Sequence, residues 1–108
     1  MVRYKVVVAP RANEDMKRYV AYLANVKKSK QAAQALFDDY RKTKKRLADV
    51  AGMIKESDNE KIRARDLKRL NFDKHNYFLF FRVKNNTAEI VAIFHSLEDF
   101  ENKLSDGL

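Results

Sequence analysis

The sequence predicts an α+β fold in the order strand, helix, helix, three strands, helix (β-α-α-β-β-β-α). Three observations support this prediction. Residues 76–83 and 88–95 are two aromatic and branched runs joined by a short Asn-rich link. Two helical apolar stripes precede them, and a short apolar run opens the chain. Because 108 residues with 45% hydrophobic content can bury one compact core, we expect a single domain over 1–108.

The opening strand is predicted over residues 3–9, because these are largely branched and apolar. Pro10 ends this strand and suits the first turn of a helix. Glu14 and Asp15 are expected in that first turn, where the helix dipole favours negative charge. The first helix is indicated by apolar residues at helical spacing: Ala12, Met16, Tyr19, Val20, Leu23 and Val26.

A second helix is predicted from about Ser29, after a basic link at 27–30. Gly52 is a plausible end for this helix. Because the link is short, the two helices should form a helical hairpin. The second stripe consists of Ala33, Leu36, Phe37, Tyr40, Leu47 and Ala51.

The segment between the helices and the central runs is harder to assign. Residues 55–60 are polar and predict a loop. Residues 62–70 fit either a half-exposed strand or, over 67–70, a helical turn. After the central runs, residues 96–99 match a capping box. A short last helix is therefore predicted, with its apolar side formed by Leu97, Phe100 and Leu104.

The central runs predict a β-hairpin, because Asn in the link at 84–87 tolerates a left-handed backbone. Neither run alternates cleanly between apolar and polar residues. We therefore expect both faces of the hairpin to be covered, or one face to form an apolar floor beneath a site.

The chain is strongly basic, with a net charge of +8 and a pI of about 9.8. Residues 11–51 hold eleven basic and five acidic side chains. This balance favours a polyanionic partner, although solubility or an acidic protein partner would also explain it. The absence of cysteine excludes disulfides and fits the cytoplasm. No signal peptide or membrane span is indicated, so a membrane partner is not expected.

Three stretches resemble a known family. Residues 4–16 look like its strand followed by proline, alanine and an Asp-apolar pair. Residues 67–70 with 76–83 are similar to its leucine and tyrosine-rich strand, and residues 90–100 look like its closing strand and ending. On these motifs the chain resembles the RelE/ParE toxin superfamily of toxin–antitoxin modules.

The resemblance implies a small curved, mainly antiparallel sheet with the helical hairpin packed on one face. It also implies a cognate antitoxin and one of two activities. RelE-like members cut mRNA in the ribosomal A site, whereas ParE-like members inhibit DNA gyrase. The chain departs from the family pattern at Leu97 and Glu98, where arginines are expected, and at Phe78. These departures and Phe100 favour the ParE-like alternative.

RNA cleavage by 2′-hydroxyl attack needs a proton-transferring group and cations around the transition state. His95 is the predicted acid or base, because histidine titrates near neutral pH. Arg63 and Arg65 are expected on one strand face and Arg82 on a neighbouring strand, where they could hold phosphate. We predict His95, Arg65 and Arg82 as catalytic. In the alternative interpretation, His95 caps the strand end and the arginines form a solvated face.

Phosphate contacts outside the catalytic set are predicted for five basic residues, although each also fits a solvated surface. His75 is expected to be simply solvated. No metal or nucleotide motif is present, so no cofactor is expected. The predicted function is a RelE-like ribosome-dependent mRNA endonuclease; the alternatives are a non-enzymatic gyrase inhibitor and an inactive antitoxin-binding relic. The predicted nucleic-acid-binding residues are Arg63, Lys68, Arg69, Lys44 and Lys45.

Overall fold

A computed structural model describes residues 3–98, 100 and 103. Its centre is a four-stranded sheet in the order β1-β4-β3-β2. The described strands are β1 (Lys5–Val8), β2 (Lys68–Asn71), β3 (Tyr77–Lys84) and β4 (Thr87–His95). β1 pairs in parallel with β4, and the other two pairings are antiparallel. The predicted α+β class and mainly antiparallel sheet are confirmed, and the order β-α-α-β-β-β fits.

The β3–β4 hairpin forms as predicted. Its two-residue turn is Asn85-Asn86, and Asn85 has a φ of 56°. Asparagine adopts this left-handed conformation at low cost. The register shifts between Phe80 and Phe81, which pair with Ala92 and Ile90. Val91 is therefore the extra residue of a β-bulge in β4.

Two long helices form the predicted hairpin. α1 (Pro10–Ala21) continues into one π-helical turn, Tyr22–Val26, and α2 spans Lys30–Val50. Ser29 caps α2, because its Oγ accepts a hydrogen bond from the Ala32 N–H at 3.1 Å. Among the described residues, no helix combines the length and apolar character that crossing a membrane requires.

The chain leaves α2 through a 3₁₀ turn, Ala51–Met53. Gly52 lies inside this turn, directly after the cap residue Ala51. A Cβ added to Gly52 would collide with the Tyr4 hydroxyl. The Tyr4 side chain, just before β1, therefore packs closely against Gly52, and a larger residue here would require that ring to shift.

The two faces of the sheet bury different clusters. On the helix face, α1 and α2 pack on β3 and β4 through residues that include Met16, Leu36 and Phe81. On the opposite face, Ile62 and Leu67 cover an apolar cluster formed by Phe78, Phe80, Val91, Ala92 and Phe94. Both faces of the hairpin are covered, which confirms the first of the two expectations for its apolar runs.

Three local predictions need correction. Residues 62–70 divide into a short helix, α3 (Glu60–Ala64), and strand β2, with Asp66 at a φ of 58° between them. The loop expected over 55–60 ends at Asn59, which caps α3 through its side chain. Glu14 and Asp15 both lie beyond the first turn of α1, and Asp15 is buried.

The predicted last helix falls largely outside the described residues, since 99, 101–102 and 104–108 are not described. Leu97, expected on its apolar side, is 89% exposed. Phe100 packs edge-on against Phe78 and Phe80, with ring centroids 5.7 and 5.6 Å apart. It therefore adds to the cluster on the opposite face.

Candidate functional site

The arginines predicted to clamp phosphate do not lie on one strand. Arg63 is in α3, Arg65 is in the turn that follows, and only Arg82 is in a strand. The expected strand face shared by Arg63 and Arg65 is therefore wrong, because the local sequence folds as a helical turn.

These three arginines bind backbone carbonyls on the face opposite the helices. The Arg82 Nε donates to the Arg65 carbonyl at 3.0 Å. The Arg63 guanidinium donates to the Ser57 carbonyl at 3.0 Å, and that of Arg65 to the Lys61 carbonyl at 3.1 Å. Arg82 thus ties the segment around α3 to the sheet, whereas the bonds of Arg63 and Arg65 stay within that segment.

His95 lies on the other face and at the other end of the hairpin. It pairs with Tyr77, whereas Arg82 pairs with Glu89. The six-residue separation between Glu89 and His95 along β4 corresponds to about 20 Å. The structure therefore does not bring His95 into a shared hollow with the arginines. The prediction of such a hollow, on which the nuclease hypothesis depended, is wrong.

The half-buried His95 ring has two defined contacts. Its Nδ1 accepts a hydrogen bond from the Leu97 N–H at 3.1 Å, and the ring stands edge-on to Tyr77 at a centroid distance of 4.8 Å. Because Nδ1 accepts, the neutral ring carries its proton on Nε2. These contacts match the alternative in which His95 caps the strand end; a role in proton transfer stays a prediction.

A negatively charged side chain lies beside His95. Glu98 accepts hydrogen bonds from the His95 N–H at 3.1 Å, from Tyr19 and from Lys103. Burial alone would raise the pKa of Glu98, but these hydrogen bonds lower it. Burial and the Glu98 carboxylate raise the pKa of Tyr19, which therefore stays a neutral phenol. This end of β4 holds an ionised carboxylate, which would repel phosphate.

The residues predicted to bind nucleic acid are also dispersed. Lys68 and Arg69 are adjacent in β2, so their side chains leave opposite faces of the sheet. The Arg69 guanidinium lies over the Phe78 ring at 3.7 Å from its centroid. Lys44 and Lys45 lie on α2. No group of three or more potential metal ligands occurs among residues 3–98, 100 and 103.

A match over nearly the whole chain decides the family. A family model described as the ParE toxin of type II toxin-antitoxin system, parDE, matches residues 6–100. The chain belongs to the ParE toxin family. It is therefore a toxin of a parDE-type toxin–antitoxin system, which implies a cognate antitoxin as partner. The resemblance to the RelE/ParE superfamily is confirmed.

A solved structure agrees with this fold for the toxin. The chain is similar to one from the chromosomal ParDE TA system from P. aeruginosa, with a TM-score of 0.67 and 19% identity. The match covers 86% of this chain and 96% of that chain. At 19% identity, this similarity supports the fold alone. No curated protein matches the chain in sequence.

The toxin carries an apolar groove between its two long helices. It encloses about 330 Å³ and is lined by Met16, Val20, Phe37 and Tyr40, with Lys17 and Lys44 among its polar residues. Phe37 is 41% exposed. Among the described residues, the Tyr40 hydroxyl is the only buried side-chain polar atom without a hydrogen-bond partner. Burial raises the pKa of Tyr40 to about 12, so the unpaired group is a neutral donor.

Sequence reasoning missed one buried polar contact of the toxin. The Asp39 carboxylate on α2 accepts hydrogen bonds from the Lys74 N–H at 2.9 Å, the Asp73 N–H at 3.2 Å and His75 Nδ1 at 2.7 Å. His75 is therefore a structural partner in the β2–β3 turn, which corrects the expectation that it is only solvated. No short-range signal connects residues 36 positions apart.

Proposed function

We propose that this toxin acts as a non-enzymatic inhibitor that binds DNA gyrase. The observation that supports this proposal best is the match of the ParE toxin description to residues 6–100. The separation of His95 from Arg65 and Arg82 adds physical support, because a nuclease needs its proton-transfer group and phosphate clamp around one scissile bond. Glu98 beside His95 supports it further.

Two assays on purified toxin test this proposal. We expect the toxin to block supercoiling of relaxed plasmid by gyrase, and to leave ribosome-bound mRNA intact. Addition of the cognate antitoxin should restore supercoiling, which controls for contaminants. Unaffected supercoiling together with cleavage of ribosome-bound mRNA would overturn the proposal. Unchanged growth on expression without antitoxin would support an inactive relic instead.

The RelE-like nuclease is the second candidate, and the observation that favours it is His95. The ring is partly exposed, and histidine is the side chain most often used as a general acid or base. Under this candidate, His95→Gln abolishes mRNA cleavage and growth arrest. Under the gyrase proposal, the same variant stays toxic. An unfolding curve matching that of the wild type ensures that the difference is not one of folding.

We further propose that the antitoxin binds in the apolar groove between α1 and α2. The groove offers the exposed Phe37 ring beside the apolar side chains of Met16 and Val20. The cationic Lys17 and Lys44 favour an acidic partner segment with apolar side chains.

Phe37→Glu should weaken antitoxin binding at least tenfold, because it places a charge in the apolar contact. Met53→Glu is the matched control, since Met53 is 70% exposed and lies outside the groove. Calorimetric titration of each variant with the antitoxin gives the affinities. Equal affinities for the two variants would show that the antitoxin binds elsewhere.

A further inference from the structure

One surface of the toxin concentrates positive charge without an evident role in the fold. Two adjacent depressions of about 360 and 240 Å³ lie along α2 and share Arg41 and Lys45. The larger one also contains Lys44 and Arg3, and the smaller one contains Lys42. We call these five residues the α2 cationic surface.

Most cations of this surface have no carboxylate partner. Among the described residues, Arg41, Lys42 and Lys45 form no ion pair with a carboxylate, although Asp38 lines the smaller depression. Arg3 pairs with Asp49 at 3.1 Å, in an exposed contact. By contrast, the side chains of Arg63, Arg65 and Arg82 are held by backbone carbonyls, and that of Arg18 by Asp15.

The cations of this surface also repel one another. Lys44 lies over the Tyr40 ring at 4.5 Å from its centroid. Burial and the neighbouring Arg41 lower the pKa of Lys44. An anion bound in the larger depression would relieve this repulsion.

The apolar residues of the two depressions argue against a protein partner at this surface. Protein interfaces are centred on large apolar and aromatic side chains. The exposed large apolar residues found in the described part of the toxin are Tyr22, Val26, Phe37, Met53 and Leu97, and none lines either depression. The apolar lining consists only of Val6, Val8 and Ala48.

The residues that line this surface favour double-stranded over single-stranded nucleic acid. Single strands bind by stacking their bases on aromatic side chains, and no aromatic residue lines the depressions. The smaller depression lies on α2 alone, so the cationic surface extends along the helix away from β1. Closely spaced phosphates on a duplex match such a broad array of cations.

We propose that the α2 cationic surface binds the phosphate backbone of duplex DNA without sequence preference. This inference deepens the proposed function and rests on it in one respect: the physiological duplex would be the DNA held by gyrase. Contact with that DNA would add to the affinity of the toxin for the gyrase–DNA complex over gyrase alone.

The direct test is fluorescence anisotropy of a labelled random-sequence duplex with purified toxin at several salt concentrations. Arg41→Gln/Lys45→Gln should weaken binding on the order of tenfold, because two phosphate contacts are lost. The slope of log K against log salt should become shallower by about 2. Lys27→Gln/Lys30→Gln carries the same charge change and should bind like the wild type, because Lys27 precedes α2 and Lys30 begins it, about 16 Å from Arg41.

The assay contains no gyrase, so its outcome is independent of the proposed function. Absence of duplex binding by the wild type, or equal losses in the two double variants, would overturn the inference. A loss of antitoxin binding in Arg41→Gln/Lys45→Gln with unchanged DNA binding would also overturn it and assign the surface to a protein. Binding of each variant to gyrase without DNA tests the proposed function separately; a defect confined to the DNA-bound enzyme supports the inference.

Discussion

Each long helix buries one aspartate, and the two carboxylates differ in their surroundings. Asp15 on α1 accepts one backbone hydrogen bond, from the Ile93 N–H at 2.9 Å, and lies 3.4 Å from the exposed Arg18 guanidinium. Asp39 on α2 accepts from two backbone N–H groups and from His75. Burial raises the pKa of Asp15 despite its partners, whereas at Asp39 the hydrogen bonds outweigh burial and lower the pKa.

Two causes separate the carboxylates: desolvation is larger at Asp15, and Asp39 accepts more backbone hydrogen bonds. The two aspartates also have different structural roles. Asp39 connects α2 to the turn between β2 and β3. Asp15 satisfies the edge of β4 beyond Ile90, where β1 has ended.

The largest effect is expected for Asp39→Asn. Asn has one acceptor oxygen, and its NH₂ group would face donors, so buried N–H groups of the turn lose their partner. We expect the free energy of unfolding to fall by about 2 to 3 kcal/mol in urea denaturation at pH 7.

Asp38→Asn is the matched control for this variant. Asp38 is the exposed neighbour, and its described contact is a hydrogen bond from Gln34 at 3.0 Å. Its change in unfolding free energy should stay within about 0.5 kcal/mol. A similar loss in both variants would mean that Asp39 has no special role.

A smaller effect is expected for Asp15→Asn. The Asn oxygen can still accept the Ile93 N–H, and the lost ion pairs involve partly exposed arginines. We expect a loss below about 1 kcal/mol in the same urea experiment. A loss as large as that of Asp39→Asn would show that donor number does not separate the two sites.

The smallest effect is expected in the pH dependence of the free energy of unfolding. The folded-state pKa of Asp39 lies below its reference value of 3.8, so its stabilising contribution is present above pH 4 and is lost as the pH falls through the folded value. Asp15 has the opposite sign: its raised pKa means that acid removes an unfavourable buried charge. Relative to the wild type, Asp39→Asn should lose less stability between pH 5 and 3, and Asp15→Asn should lose more.

Urea denaturation across this range measures both differences. Two curves parallel to that of the wild type would contradict the opposite pKa shifts. Asp38→Asn again serves as the exposed reference.

Much of the fold could be predicted from sequence, because burial leaves a periodic signal. The stripes of α1 and α2 and the two runs of the hairpin repeat over many residues, so each element is specified several times. Residues 62–70 are too short for this, and both a helix and a strand fit them. The structure uses both in turn.

The candidate site was far less predictable. The Asp39–His75 contact joins elements that are distant in the chain, and a lone aspartate on a helix gives no sign of it. The groove was only partly visible, since Phe37 and Tyr40 read as core positions of one stripe, whereas Phe37 is substantially exposed. The faces occupied by the arginines and His95 depend on turns and registers that residue types do not reveal.

The β-bulge at Val91 gives β4 a tolerance for a change in length. Val91 and Ala92 both face the cluster opposite the helices, so the alternation of β4 is interrupted once between Ile90 and His95. Deletion of Val91 would restore regular alternation and leave His95 beside Tyr77 and Phe94 beside Phe78. The strand can therefore lose one residue at this point without turning its histidine to the other face of the sheet.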